Sequence, residues 1–231
     1  MKKSKLLGKV KDIRFQTFKA NQVLGEIGQG NISKNPDDNY LLKFNEKGYR
    51  ISNTTFNISG TINYQDTFLY DTNNVLIEMR RSLPHGIITS KRKYEFDEKN
   101  NLIKEVWYYD NLPETRYANK YDTLGNLIEQ CIYDEVNKIM TDKFYYKYDD
   151  YDNEIERHIY DGKGKLIFIY KATYDDDDMK IEESTYRPDG SLYVKYTYEY
   201  VFDEKKNWIK LTYLKNNIPD EISVRTINYY D

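Results

Sequence analysis

The sequence predicts an all-β fold in which tandem antiparallel β-hairpins form a continuous twisted or coiled meander sheet. Three observations predict it. A unit of about 26 residues recurs seven times. Tyrosine, a strand-favouring residue, occurs 25 times. Alanine, the best helix former, occurs only at Ala20, Ala118 and Ala172.

The repeat is anchored on an aromatic residue followed by Asp or Asn. The anchors are Phe44-Asn45, Tyr70-Asp71, Phe96-Asp97, Tyr121-Asp122, Tyr148-Asp149, Tyr174-Asp175 and Phe202-Asp203. Their second residues are spaced by 26, 26, 25, 27, 26 and 28 positions. Six residues after each anchor comes isoleucine: Ile51, Ile77, Ile103, Ile128, Ile155, Ile181 and Ile209. The residue after it is always polar, from Ser52 and Glu78 to Glu182 and Lys210. Strand alternation then points the isoleucine and the anchor ring to the core and the polar residue away.

One unit illustrates the local physics. Lys120-Tyr121 ends a strand, and Asp122-Thr123-Leu124-Gly125-Asn126 is a turn. Asp accepts hydrogen bonds from the backbone ahead of it, and Gly or Asn tolerates positive φ. Leu127 to Tyr133 is the returning strand. Second turns are marked by Asp161-Gly162-Lys163-Gly164 and Arg187-Pro188-Asp189-Gly190. Each unit is two strands and two turns, and stacking on neighbours buries what one unit cannot. Residues 1–39 fit the frame poorly and read as an N-terminal cap, with 40–231 as the seven-unit array in the same body. Ile222 to Tyr230 reads as a final strand closing the array.

Tyr121-Asp122-Thr123-Leu124-Gly125-Asn126-Leu127 resembles the YD repeat of the Rhs family, with weaker versions at Phe96-Asp97 and Phe202-Asp203. The resemblance covers about residues 40–231. It implies a small stand-alone bacterial member in which the repeats form a sheet and no toxin domain is present. What it implies for function is a non-catalytic scaffold that binds another protein, as an accessory, immunity-like or adaptor component of a bacterial toxin or surface system. An envelope-associated carbohydrate-binding module is the alternative.

Charge and hydropathy bound the partners. Lys+Arg is 35 and Asp+Glu is 38, a net charge of −3 with the signs interleaved, which disfavours nucleic acid. No run of about 18 apolar residues suggests a membrane span. The basic start Met1-Lys2-Lys3 is followed by Lys9, Lys11 and Asp12, which break the apolar stretch of a signal peptide. The expectation is a cytoplasmic protein, or one of the cell surface or periplasm if Met1 stands after a removed export signal. Cys131 is the only cysteine, so no internal disulfide forms.

No catalytic residue, cofactor or metal is expected. His85 lies in the turn Pro84-His85-Gly86. His158 and Cys131 occupy one repeat slot that also accepts Thr, Arg, Val and Ser, which reads as packing or surface. No positioned partner for His158 is evident. Asp149-Asp150-Tyr151-Asp152 and Asp175-Asp176-Asp177-Asp178 read as solvated turn tips, with calcium left open because neither fits the EF-hand spacing. Gly25-Glu26-Ile27-Gly28-Gln29-Gly30 lacks the Lys-Ser/Thr of a phosphate loop. The tyrosines remain. Adjacent pairs place rings on both faces of a sheet, so Tyr109, Tyr146, Tyr196 and Tyr198 are candidate partner-binding aromatics, with cross-strand ladders as the competing explanation.

Overall fold

A computed structural model describes residues 6–230; residues 1–5 of the expected cap and Asp231 lie outside the described residues. The strands are β1 Val10–Val23, β2 Glu26–Ile32, β3 Asn39–Phe44, β4 Arg50–Phe56, β5 Ile62–Tyr70, β6 Leu76–Ser82, β7 Ile88–Phe96, β8 Leu102–Tyr109 and β9 Leu112–Tyr121. They continue as β10 Leu127–Asp134, β11 Ile139–Tyr148, β12 Glu154–Asp161, β13 Leu166–Tyr174, β14 Lys180–Tyr186, β15 Leu192–Phe202, β16 Trp208–Lys215 and β17 Ile218–Tyr229. One short 3-10 turn covers Pro36–Asp38.

Two compact units share these strands. The first holds Val75–Glu78 and Ser90–Thr197. In it β7 to β15 pair in sequence order, every pairing antiparallel. The second holds the chain up to Asn74, Met79–Thr89, and Tyr198 onward. In it β3, β4 and β5 form a meander and β16 pairs with β17.

The second unit overturns the open meander. β1 bonds to β17 along Val10–Lys19. Its other side bonds to β3 through Asp12–Gln16 and to β2 from Phe18 to Val23. The first strand is thus tied to the last, and all seventeen belong to one sheet, a closed antiparallel barrel. Because β2 and β3 share one side of β1, the strands fill sixteen positions. The physical reason is edge satisfaction: an open array of this length presents two rows of unpaired backbone groups, and closure removes them. Residues 10–23 and 26–32 are therefore strands of the sheet.

The anchor turn follows one rule throughout. The Asp or Asn carboxyl or amide oxygen accepts the backbone N–H two and four residues ahead, as Asp122 does from Leu124 and Asn126, and Asp203 from Lys205 and Asn207. The residue three positions after each anchor has positive φ: Gly48, Asn74, Asn100, Gly125, Asp152, Asp178 and Lys206. The turn geometry thus persists where glycine is replaced.

The repeating isoleucine does not face the core. In five strand pairings it is the extra residue of a β-bulge. Leu127 lies opposite Tyr121 and Glu129 opposite Lys120, leaving Ile128 out of the ladder. Ile51, Ile103, Ile155 and Ile181 are displaced in the same way. A bulge locally breaks the alternation on which the inward expectation rested. It also interrupts the ladder beside the preceding carbonyl, and there the next unit's anchor tyrosine supplies a donor. Tyr148 donates to the Leu127 oxygen at 2.9 Å and Tyr174 to that of Glu154 at 3.0 Å.

Candidate interaction surface

In the first unit Ile77, Ile103, Ile128, Ile155 and Ile181 stand at the same place after each anchor turn, the last four of them at bulges. Their exposure is 37–46%. Successive ones stand two strands apart, roughly 10 Å by ordinary sheet spacing. Beside them runs a row of ion pairs on one sheet face. Glu129 meets Lys120 at 2.8 Å and Lys143 at 3.2 Å. Glu156 meets Lys147 at 2.6 Å and Lys171 at 3.7 Å, and Glu182 meets Lys195 at 2.7 Å. The lysine hydrogen bonds hold the carboxyls of Glu129 and Glu156 below their ordinary range. The result is a strip of half-exposed isoleucines flanked by paired charges.

The opposite face is aromatic and polar. Arg92 lies 3.7 Å over the Trp107 ring and 3.7 Å from Glu105. Arg157 lies 4.7 Å over Tyr170 and approaches Glu154 at 3.1 Å. Tyr170 donates to Glu183 at 2.9 Å, and Lys180 reaches the Tyr170 hydroxyl and Glu183. Burial pushes the Tyr170 hydroxyl and the Glu154 carboxyl upward. Charged groups therefore occur on both faces of these strands.

Of the four candidate tyrosines, Tyr196 and Tyr198 share one face of β15, two residues apart. Tyr109 is 53% exposed and ends β8 at the far hairpin, away from Ile103. Tyr146 is half-buried beside Phe144, with its ring centroid 5.8 Å from the Arg157 guanidinium. Tyr196 is half-buried opposite Glu183. Tyr198, in the second unit, packs edge-on against Tyr213 with centroids 5.5 Å apart. The isoleucine strip was missed by sequence reasoning. Its signal was the adjacent apolar pairs Leu76-Ile77, Leu102-Ile103 and Leu127-Ile128, which strict alternation cannot place on one face.

The remaining reactive groups are engaged. His158, for which no partner was evident, has one: Nε2 lies 2.8 Å from Glu156 Oε1, two residues away on the same face. Buried Cys131 sits 3.9 Å from Glu129 in the same relation. His85 has positive φ in its turn. Gly28 and Gly30 lie in β2, paired with β1. The acidic turns are tied to one another: Asn153 donates to Asp149 at 3.2 Å and to Asp178 at 2.8 Å, and Asn126 donates to Asp152 at 3.2 Å. Among the described residues no three His, Cys, Asp or Glu side chains are grouped to hold a metal. No helix among them is long and apolar enough to cross a membrane, which leaves crossing by strands untouched.

The pairing defines a closed, antiparallel, all-β class of protein. No family model matches the chain, and no curated protein matches it. Among solved structures it is similar to a porin-like protein from Bacteroides uniformis, at 8% identity over 96% of this chain and 98% of that one, TM-score 0.63. A porin-like protein from Bacteroides vulgatus is similar at 10% identity over 96% and 98%, TM-score 0.47. The Tc holotoxin pore of Photorhabdus luminescens is similar at 14% identity over 93% of this chain, which spans 11% of that one, TM-score 0.37. The first likeness is one of fold.

Proposed function

We propose that the chain is a non-catalytic, YD-like repeat scaffold that binds another protein through the bulged-isoleucine strip, as an accessory, immunity-like or adaptor component. The observation that carries this is the recurrence of an exposed isoleucine at one slot in six of the seven repeats. Exposed aliphatic area beside ordered charge pairs suits protein partners, with the aliphatic groups supplying affinity and the charges register. The test is photo-crosslinking from position 155 or 128 in the native host, with Leu124, 82% exposed on a turn tip, as control. The expected result is one protein captured from both strip positions, absent from the control and lost in Ile155→Asp. No crosslink from either strip position sinks the reading.

Exposed rings favour carbohydrate as the second reading: Tyr109, Tyr145, Tyr151 and Tyr193 are 40–73% exposed. A glycan array separates the two. The likeness to a porin-like fold supports an envelope location, at the cell surface or in the periplasm, over the cytoplasm. A lipid-facing barrel needs an apolar outward band, whereas these strands carry paired charges on one face and Arg, Glu and Tyr on the other. The proposal is therefore a water-exposed scaffold, which fractionates without detergent.

A further inference from the structure

Arginines stacked on rings recur through the array, and several have a carboxylate or amide oxygen beside them. Arg81 lies 3.6 Å over Tyr64 and makes a two-pronged pair with Asp66 at 2.8 and 3.0 Å. Arg116 lies 3.9 Å over Tyr133 and bonds Glu135 at 2.8 Å. Arg157 lies 3.1 Å from Glu154 as an ion pair without a hydrogen bond at Nε, and Arg14, over Phe56, donates to Asn39. Arg225 differs. Its guanidinium lies 3.4 Å over the Trp208 ring, yet among the described residues no carboxylate or amide oxygen accepts from it.

The surroundings are a box of rings. Phe15 on β1 stands opposite Arg225 on β17 and opposite Tyr40 on β3, which puts the three in one row. Phe15 stacks on Tyr40 with centroids 4.6 Å apart and meets Trp208 edge-on at 6.1 Å. Tyr200 meets Trp208 at 6.5 Å. Tyr40 and Tyr213 interact electrostatically with the guanidinium, and burial raises both phenols, so they stay protonated. The acids nearest these phenols are used elsewhere: Asp38 accepts from Ser33 at 2.6 Å and Glu221 from Lys19 at 2.6 Å. Loss of water around Arg225 draws its ionisation down to about 10. A partly desolvated cation without a counter-charge carries a cost, and a bound anion lowers it.

We propose that Arg225, laid on Trp208, anchors a binding site for a small carboxylate carried on an apolar or aromatic body. Stacking occupies the flat face of the guanidinium and leaves its N–H edge, whose fork matches a planar carboxylate in two parallel hydrogen bonds. Phe15, Tyr40 and Tyr213 supply walls for the body of the ligand. This site lies in the second unit and is independent of the isoleucine strip.

The experiment titrates the full chain with benzoate, acetate and inorganic phosphate at constant ionic strength, by calorimetry and by the side-chain Nε–Hε NMR signals of arginine. Benzoate is expected to saturate, acetate to bind at least about tenfold more weakly, and phosphate not to saturate. The Arg225 Nε–Hε signal shifts with benzoate, a readout that needs no variant. Arg225→Gln loses benzoate binding at least about tenfold, while Arg50→Gln, at an exposed arginine, binds as the parent does. The proposal is overturned by an unsaturated benzoate titration, by an Arg225 signal that does not move, or by phosphate binding as tightly as benzoate. Unchanged binding in a folded Arg225→Gln variant overturns it equally.

Discussion

The hydroxyl of Tyr121 donates to the carbonyl oxygen of Leu102, 2.9 Å away and 19 residues earlier in the chain. Tyr70 makes the equivalent bond to Arg50 at 2.8 Å. The anchor tyrosine of one unit thus stitches the bulge of the unit before it. Tyr121→Phe and Tyr148→Phe each remove one such bond and leave a carbonyl beside a broken ladder. Each is expected to lower stability by about 1 kcal/mol, read as a reduced urea midpoint with unchanged m-value. Full parent stability in both variants refutes the stitch.

The turn slot three residues after the anchor forces positive φ, whatever side chain stands there. Lys206 sits at φ 62 and Gly125 at φ 89. Lys206→Gly is expected to raise stability by about 0.5–1 kcal/mol and Gly125→Ala to lower it by about 1 kcal/mol. Denaturant melts of the pair decide it, since opposite signs are required.

Asp66 is 4% exposed and is held by Arg81. Asp66→Ala leaves a half-buried guanidinium uncompensated and is expected to cost about 3 kcal/mol. Replacing both partners with apolar residues of similar size is expected to cost less than the single change. A double-mutant cycle by calorimetry checks this, and additive losses contradict it.

Burial, the leading cause, raises the phenols of Tyr64, Tyr146 and Tyr174 to about 12 from an ordinary value near 10. Below pH 10 both folded and unfolded chains keep these protons. Above it the unfolded chain releases them first, so stability falls as pH rises from about 10 towards 12. Far-UV circular dichroism and 295 nm absorbance followed together in alkali are expected to show loss of fold accompanying tyrosine ionisation. Complete ionisation near pH 10 with the fold intact would contradict the burial.

The repeat frame was legible because its causes are local. Asp122 as a turn acceptor, the slot at Gly125 and the returning strand from Leu127 are each decided within about five residues. The isoleucine was legible as a position but not as an environment, because its exposure depends on a bulge that shifts register against the partner strand. Closure was illegible for a different reason. A hairpin unit is the same in an open and a closed array, and the pairing of Phe18 with Ile222 is written in no local pattern. The box around Arg225 likewise unites residues from β1, β3, β16 and β17, none of which carries a motif.

The hydroxyls of Thr17 and Ser223 lie 2.8 Å apart across 206 residues of chain. During synthesis on the ribosome β1 therefore emerges long before the strand it will finally join. One flank of it must wait, solvated or held by other factors, while the intervening hairpins assemble in order. Loop closure over so long a span is slow, so final sealing is expected to be the last and rate-limiting event of biogenesis. The same proximity makes a circularly permuted version, opened at an exposed turn such as Gly164, a direct way to bring the two strands together early.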